Sequence, residues 1–300
     1  MTKKSKTILK AASLQRNVSK RLKIAKHKKS TVQVPPTIPA ASSSSSSSTA
    51  ITTKEPMQKK HNPWYNHFTK NDLLYNQYMA NEWGVEEKYD DDQKNDNVLF
   101  EKLCLESAQS GLSWRTILYK RQAYRDVFHN FDIAKVSQMT SIDIDNIMSF
   151  EGSSTSKTNA NDDTTKNQVV VKHRAKLESV VHNAKQVIAM TSQEGATCSD
   201  DTTNTSTFSN YLWSFVNHQP ILNHWSCIQD IPSKSKESEE MSSALKKFHG
   251  FKFIGPTTCY SFMQSCGFVI DHPVNTPEWE SSLARLKTRK GGFQNRGNTT

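Results

Sequence analysis

The sequence predicts an all-α domain that follows a disordered basic N-terminal arm. Apolar residues recur at spacings of three, four or seven, as in Leu99 and Leu103 and in Ile117, Tyr124 and Phe128. Such spacing places them on one face of a helix. The same pattern predicts helices over residues 171–190, 208–216, 241–249 and 257–266. No segment shows the alternation of apolar and polar residues that is typical of a half-buried strand.

The N-terminal arm, residues 1–56, has the composition of a disordered chain. Its first 54 residues contain twelve Lys or Arg and no Asp or Glu, and serine fills positions 42–48. Such a segment cannot bury enough apolar surface to fold. The lysine cluster over residues 20–29 favours a nuclear protein, whereas an acid-free arm with serine also suits a mitochondrial or plastid transit peptide. Adhesion to DNA by charge is compatible with either interpretation.

The predicted domain spans residues 57–282 and is followed by a basic tail, residues 283–300, which we expect to be disordered. Three polar stretches near residues 86–96, 151–167 and 191–207 are typical of solvated insertions. Residues 55–282 contain 22 Lys or Arg and 29 Asp or Glu, a net charge of −7, although the whole chain carries +10. Bulk charge therefore does not predict nucleic-acid binding by the domain, which must depend on local geometry and the basic ends.

Composition also excludes some classes of protein. No run of 18 or more apolar residues occurs, so we expect no membrane span, and the N-terminus lacks the apolar stretch of a secretory signal. The five cysteines are an odd number without the spacing of a disulfide framework, which favours reduced thiols inside a cell.

Glu106 is the most informative position in the chain. On a helix it lies about 20° from Leu99 and about 60° from Leu103, on the stripe that should face the core. Burial of an unpaired carboxylate costs several kcal/mol, so a glutamate at such a position often has a dedicated partner or ligand. A glutamate at the edge of the helix that reaches solvent or an internal arginine is an equally good interpretation of this residue alone.

Aromatic residues gather on either side of Glu106. Trp114 follows two turns later, and Trp64, Tyr75, Tyr78 and Trp83 precede it. Aromatic side chains are most often part of a core. Around a semi-buried carboxylate they suggest a slot for a flat, electron-poor ring, which would stack on Trp114 and hydrogen-bond to Glu106.

Residues 251–258, which we call the hairpin segment, join two predicted helices through Gly255 and Pro256. A Gly-Pro turn that opens a helix exposes backbone N–H groups, and these can bind a DNA phosphate without sequence preference. Similar turns are also common as plain structural junctions.

Together these segments closely resemble the 3-methyladenine DNA glycosylase I family, a branch of the helix-hairpin-helix DNA glycosylases. The resemblance runs in family order over residues 62–276 outside the insertions, through 78–85 (YMANEWGV), 104–106 (CLE), 111–114 (GLSW), 172–176 (KHRAK), 208–215 (FSNYLWSF) and 251–263. It implies a helix-hairpin-helix glycosylase fold. It also implies a monofunctional enzyme that hydrolyses the N-glycosidic bond of 3-methyladenine in alkylated double-stranded DNA by base flipping. We expect the protein to be a monomer.

The resemblance also implies the roles of individual residues. Trp114 would stack on the lesion base, while Glu106 and Tyr78 hydrogen-bond to it. The remaining base-pocket residues would be Tyr75, Trp83 and Trp64, and the DNA-binding residues would be Phe251, Lys252, Gly255, Thr257 and Thr258. Methylation at N3 leaves the adenine cationic and weakens its glycosidic bond, so stacking and a carboxylate favour it over neutral adenine.

The family's zinc site is where this chain departs most from its relatives. Members bind the ion with two Cys and two His near the chain ends, and the corresponding positions here are Asn62, Met79, His272 and Thr276. His272 is a lone remnant, and a tetrahedral structural site needs four N or S donors. We therefore expect neither zinc nor another cofactor, with packing by Met79 and its neighbours in place of the metal.

Two further positions bear on the reaction. Many helix-hairpin-helix glycosylases place a catalytic aspartate after the hairpin, but Ile270 occupies that place, so we expect Asp271 to be structural. Thr257 and Thr258 stand in the region where lyase-active relatives carry a lysine, so no Schiff-base strand cleavage is expected.

A catalytically inactive helix-hairpin-helix DNA-binding protein is the main alternative, supported by the eroded zinc site. Glu106 and Trp114 argue against it, because a scaffold has no need of a charge on its apolar stripe. A helical protein-interaction domain with a basic arm explains neither the pocket residues nor the hairpin segment.

Overall fold

The structure, a computed structural model, describes residues 72–86, 93–152, 169–193, 207–289 and 291–296. Its helices are α1 (Leu73–Asn81), α2 (Gln93–Gln109), α3 (Trp114–Val127), α4 (Ile133–Ser137), α5 (Ser141–Ser149), α6 (Arg174–Gln193), α7 (Phe208–Trp213), α8 (Lys236–Lys247), α9 (Pro256–Ser265) and α10 (Pro277–Thr288). Single 3-10 turns lie at His129–Phe131, Ser214–Val216 and Ile228–Asp230. The predicted all-α class is confirmed.

Short polar side chains mark where several helices begin. Ser113 is extended and its hydroxyl accepts from the backbone N–H of Thr116, which sets the first turn of α3. Thr140 and Asp143 form a capping box at the start of α5. Gly255 precedes α9 without a side-chain cap, and Pro256 fills its first position, where no N–H is needed.

Helix α2 lies at the centre of the domain and contacts α3, α4, α6, α7 and α9. Its residues Leu99, Phe100 and Leu103 are at most 1% exposed, so the stripe predicted from their spacing is indeed the core face. Large rings from α7, α9 and the segment after α9 complete the core, with Trp213, Phe262 and Phe268 fully buried.

Asp96 corrects the extent of the first predicted insertion, residues 86–96. The helix α2 already begins at Gln93, and Asp96 is buried. Its carboxylate accepts hydrogen bonds from the backbone N–H groups of Phe208 and Ser209, at 3.1 and 2.7 Å. An acidic residue in a polar stretch therefore caps the N-terminus of α7 from a distant part of the chain.

A three-stranded parallel sheet is the element that the sequence did not predict. Its strands are β1 (Ile221–Asn223), β2 (Val269–Ile270) and β3 (Gln294–Arg296), in the order β2-β1-β3. Ile221 pairs with Val269 on one side and with Gln294 on the other. Strands of two or three residues are too short to show alternation along the sequence.

The sheet also shows that the prediction of a disordered tail over residues 283–300 is wrong for most of that range. Helix α10 continues through Thr288, Leu286 is 2% exposed, and β3 joins the sheet. Arg289 forms a 2.6 Å ion pair with Glu86. Basic side chains outnumber acidic ones here, but they lie on the outside of an ordered segment.

Other predicted segments lie outside the described residues. These are the arm of residues 1–56, nearly all of the insertion at 151–167 and the centre of the insertion at 191–207, together with Asn62 and Trp64. Thr207, at the edge of the last insertion, caps α7. Over the part of the chain that the structure describes, no helix has the length and apolar character needed to cross a membrane, and Cys104, Cys227, Cys259 and Cys266 are free thiols.

Candidate active site

A cavity of about 140 Å³ opens between α1, α2, α3 and the end of α9. Its walls are formed by Tyr78, Glu82, Val98, Glu101, Lys102, Leu105, Trp114, Arg121, Arg125 and Ser265. The cavity thus combines two aromatic rings with several charged groups.

Tyr78 and Trp114 supply the aromatic part of the wall. Their ring centroids are 5.3 Å apart and the planes are tilted by 43°. Trp114 is the first residue of α3, so the cap at Ser113 sets its direction. Its indole Nε1 is buried and has no hydrogen-bond partner among the described residues, which leaves one donor unused beside the cavity. Burial raises the pKa of Tyr78 well above its ordinary value, so its hydroxyl is neutral.

Glu106 lies behind this wall on α2, one turn after Lys102. Its side chain is 5% exposed, as its place on the apolar stripe predicts. Burial raises the pKa of its carboxyl from 4.5 to about 8, although attraction by Lys102 and a hydrogen bond with Ser265 act in the opposite direction. Both Lys102 and Ser265 line the cavity. The carboxyl group of Glu106 is therefore mainly neutral at pH 7.

Charged residues in the cavity wall were missed by the sequence analysis. Arg121 donates two hydrogen bonds to Glu82, at 2.5 and 3.0 Å, and Arg125 pairs with Glu101 at 2.8 Å. Each pair joins α3 to another segment, so spacing along one helix could not reveal it.

Lys102 could have been found from the sequence. It stands four residues before Glu106 and so shares its helix face. Its ammonium group donates to the carbonyl of Ser265 at 3.0 Å, near the C-terminus of α9.

Tyr75 and Trp83 do not line the cavity. Both pack against a cluster that contains Tyr78 and Met79, and the ring of Tyr75 lies 6.4 Å from that of Tyr78. The indole of Trp83 meets the edge of the His272 ring at 4.7 Å. These two residues therefore support the wall from behind, and Trp64, the third predicted member, lies outside the described residues.

The positions that correspond to the family's zinc ligands do not offer a metal site here. Met79 is packed in an apolar cluster. The hydroxyl of Thr276 donates to the carbonyl of Pro273 and accepts from the N–H of Trp279 at the start of α10. No group of three or more His, Cys, Asp or Glu among the described residues is arranged to hold a metal. The donors present therefore do not fit zinc.

His272 is buried at 2% exposure, and its environment favours a neutral ring. Burial lowers its pKa to about 4, with a further contribution from the positive charge of Arg285. A Cβ atom on Gly84 would lie 2.8 Å from the His272 ring, so this close approach requires glycine at position 84.

The hairpin segment corrects one of the predicted DNA-binding residues. Phe251 is 3% exposed and stacks on Phe208, with ring centroids 6.1 Å apart and planes within 12°. It belongs to the core and cannot reach DNA. Phe253, two residues later, is 40% exposed.

The other predicted residues of the hairpin segment lie at the surface. Lys252 and Thr257 are exposed, while Gly255 and Thr258 are partly buried. Thr257 and Thr258 occupy the first turn of α9, where backbone N–H groups have no partner within the helix. Space beside Gly255 is open, with no atom within 4 Å of where a Cβ would stand. A phosphate oxygen could therefore approach this turn closely.

Asn183 of α6, which the sequence analysis missed, holds the hairpin segment in place. Its side chain is 2% exposed. It donates to the carbonyl of Lys252 at 3.1 Å and accepts from the N–H of the same residue at 2.9 Å. Ser242 of α8 donates to the carbonyl of Ile254 at 2.7 Å. The segment is therefore anchored by side chains on both sides of Phe253.

Helix α6 also connects the hairpin segment to the turn before Trp114. Lys176 donates to the carbonyls of Ala108 and Ser110, at 3.0 and 2.5 Å, at the end of α2. Just before the first residue of α6, the His173 ring meets Phe253 edge-on at 6.2 Å. The turn that leads to Trp114 and the hairpin segment thus adjoin the same end of α6.

Asp271 is fully buried and accepts four hydrogen bonds. The donors are the side chains of Asn223, Trp225, Tyr260 and Gln264, at 2.6 to 2.8 Å. With its lone pairs engaged by β1, α9 and the loop after β1, it has the structural role expected from the sequence.

Comparisons with known proteins place these features in a family. A family model described as Methyladenine glycosylase matches residues 68–161 and 153–278. The DNA-3-methyladenine glycosylase of Haemophilus influenzae is 44% identical over 204 residues, which cover 68% of this chain and 91% of that protein. DNA-3-methyladenine glycosylase 1 of Escherichia coli is 40% identical over 203 residues, covering 68% and 90%.

A solved structure supports the same assignment. The 3-methyladenine DNA glycosylase I of Staphylococcus aureus, studied for its recognition of 3-methyladenine, is 33% identical to this chain. It superposes with a TM-score of 0.56 over 70% of this chain and 94% of its own.

Proposed function

The chain belongs to the methyladenine glycosylase family, and we propose that it is a DNA glycosylase that removes 3-methyladenine from alkylated double-stranded DNA. The observation that carries the proposal is the burial of Glu106 beside a cavity of about 140 Å³ walled by Tyr78 and Trp114. A purely structural protein gains nothing from a carboxyl group whose burial disfavours its charged form.

The pocket residues act on a base that has left the DNA stack. Trp114 stacks on the flipped ring. Its buried Nε1–H has no hydrogen-bond partner among the described residues. Tyr78, whose hydroxyl is neutral, hydrogen-bonds to the base edge. The cavity excludes bulk water around these contacts, which strengthens each of them.

Glu106 selects the cationic lesion over neutral adenine. A positive ring next to the carboxyl favours its ionised form, so the pKa of about 8 falls when the lesion binds. Glu106 then releases its proton to water, and the resulting carboxylate stabilises the positive charge of the base. Neutral adenine offers no such compensation for a buried negative charge.

Hydrolysis of the glycosidic bond needs modest assistance, because the methylated base departs as a neutral molecule. A water molecule attacks the sugar carbon, the base leaves with the bonding electrons, and a proton is released from the water. Thr257 and Thr258 supply no amine for a Schiff base, so the proposal includes no strand cleavage.

The partners and the absence of a cofactor are parts of the same proposal. The donors at Met79, His272 and Thr276 do not fit zinc, so the protein works without the family's metal. We further propose that the protein acts as a monomer and that the basic arm directs it to the nucleus, with mitochondria or plastids as the alternative destination.

Release of free 3-methyladenine tests the proposed function. The purified full-length chain is incubated with alkylated duplex DNA, and the released bases are separated and identified. The proposal predicts release of 3-methyladenine without strand cleavage. DNA binding without release of any alkylated base would instead support the inactive DNA-binding alternative.

A further inference from the structure

Phe253 combines two features that rarely occur together. Its side chain is 40% exposed, and its backbone φ is +57°. The left-handed region favours glycine, and a bulky residue there carries a conformational cost. Its neighbours Phe251 and Ile254 are 3% and 1% exposed. The core is therefore complete without the Phe253 ring, and packing does not explain why this position holds an aromatic residue.

The surrounding structure maintains the unfavourable conformation. Asn183 binds both backbone groups of Lys252, and Ser242 binds the carbonyl of Ile254. These anchors come from α6 and α8 on either side of the hairpin segment. Together they keep the Phe253 ring pointing away from the core, since the residues before and after it cannot rotate freely.

The surroundings of the ring are suited to a polyanion. Lys252 and Thr257 of the hairpin segment are exposed, and so is Lys172 just before α6. His173 meets the ring edge-on at 6.2 Å. Along the same helix, Lys176 contacts the turn that precedes Trp114. The ring thus stands beside the start of α9, on the side of the domain that leads to the pocket.

We propose that Phe253 is a DNA-contacting residue whose ring packs on the apolar face of a deoxyribose near the flipped nucleotide. This inference rests on the proposed function, because it assumes that DNA occupies the surface between the hairpin segment and the pocket. A sugar presents the same C–H face whatever the base. The contact therefore adds affinity without sequence preference, beside the phosphate contacts of Lys252 and the first turn of α9.

Phe253→Gly separates a DNA role from a structural one, because glycine accepts the left-handed backbone without strain. The full-length protein is titrated with a short duplex that contains a stable abasic-site analogue, at one fixed salt concentration. The dissociation constant should rise about tenfold with loss of the buried ring area. The melting temperature should stay equal or increase. Phe253→Asn, which also tolerates this backbone, should show the same loss of affinity.

Asn130→Gly is the matched control. Asn130 is exposed and has a φ of +55°, so this change introduces glycine at another left-handed position without removing an aromatic ring. It should leave the dissociation constant at the parental value. Parental affinity in both Phe253 variants would overturn the inference. Release of 3-methyladenine by the parental protein is measured in parallel, so that failure of the proposed function is seen separately from failure of the Phe253 contact.

Discussion

Asn183 and Lys252 are joined by two hydrogen bonds that run in opposite directions, from the Asn183 amide to the Lys252 carbonyl and from the Lys252 N–H to the Asn183 amide oxygen. The buried amide of Asn183 thus pairs with the backbone of Lys252 in the way that the backbone of a neighbouring strand would. These two bonds fix the hairpin segment relative to α6. We therefore expect Asn183, which lies outside the pocket, to influence DNA binding.

Replacement of Asn183 by alanine should loosen the hairpin segment. Two backbone groups lose their partners, which costs about 1 to 3 kcal/mol of stability where water cannot replace them. Hydrogen exchange at the Lys252 amide should become faster, and affinity for duplex DNA should fall. Affinity for free 3-methyladenine should not change, because the cavity is built from other helices. Thr191→Ala, which removes only the two hydrogen bonds that one hydroxyl makes within α6, is the control. An equal loss of duplex and free-base affinity would show that Asn183 supports the whole fold instead.

Metal analysis tests the absence of zinc. We expect less than stoichiometric zinc in protein purified without a chelator, and an unchanged melting temperature after treatment with one. The reason is that Met79 and Thr276 are engaged in packing and capping. One tightly bound zinc per chain would contradict this prediction and place the ligands elsewhere.

Removal of residues 1–54 should weaken DNA binding without abolishing excision. Its twelve basic residues release counterions from DNA, so the truncated protein should show a smaller dependence of affinity on salt. Excision from short duplexes at low salt should persist. The comparison requires titrations of both proteins at several salt concentrations. An unchanged salt dependence would mean that the arm does not contact DNA.

Glu106 should give the reaction a characteristic pH dependence. Because burial raises its pKa to about 8, the neutral form predominates in the free enzyme at lower pH. If the carboxylate is the reactive form, kcat/KM on alkylated duplex should increase with pH and level off above about 8. Glu106→Gln should remove this increase. A parental profile that falls over the same range would show that the neutral carboxyl is the active form, and a flat profile would show that the rate does not depend on ionisation of Glu106.

Periodicity predicted the core and the pocket well for specific physical reasons. Leu99, Leu103 and Glu106 lie on one long helix, where angular position follows directly from spacing. Burial of Glu106 follows from that geometry, whereas Trp114 begins the separate helix α3. The ion pairs of the cavity wall, Arg121 with Glu82 and Arg125 with Glu101, join separate segments, so no local pattern carries them.

The hairpin segment and the C-terminal region show where local patterns fail. Phe251 and Phe253 are the same residue type, two positions apart in one short segment. The ring of Phe251 is buried, whereas Phe253, with its left-handed backbone, has an exposed ring. Residues 283–296 are rich in Lys and Arg, so the sequence did not predict the burial of Leu286 or the pairing of β3 with β1. Both outcomes depend on tertiary contacts that composition does not report.

The central claim is that Glu106 acts on the lesion, and single-turnover excision of 3-methyladenine by the parental protein and by Glu106→Gln tests it most directly. Glutamine keeps the size of the side chain but cannot become an anion beside the cationic base. A charged hydrogen bond contributes about 1.5 to 3 kcal/mol, so the excision rate should fall roughly ten- to a hundredfold. The melting temperature should stay equal or rise, and increasingly so from pH 4.5 towards pH 8, because over this range the unfolded parent ionises at Glu106 while the folded parent keeps it protonated. Glu178→Gln, at an exposed position of α6, should excise at the parental rate. Parental excision by Glu106→Gln would contradict the account and make Glu106 an ordinary residue of a buried helix.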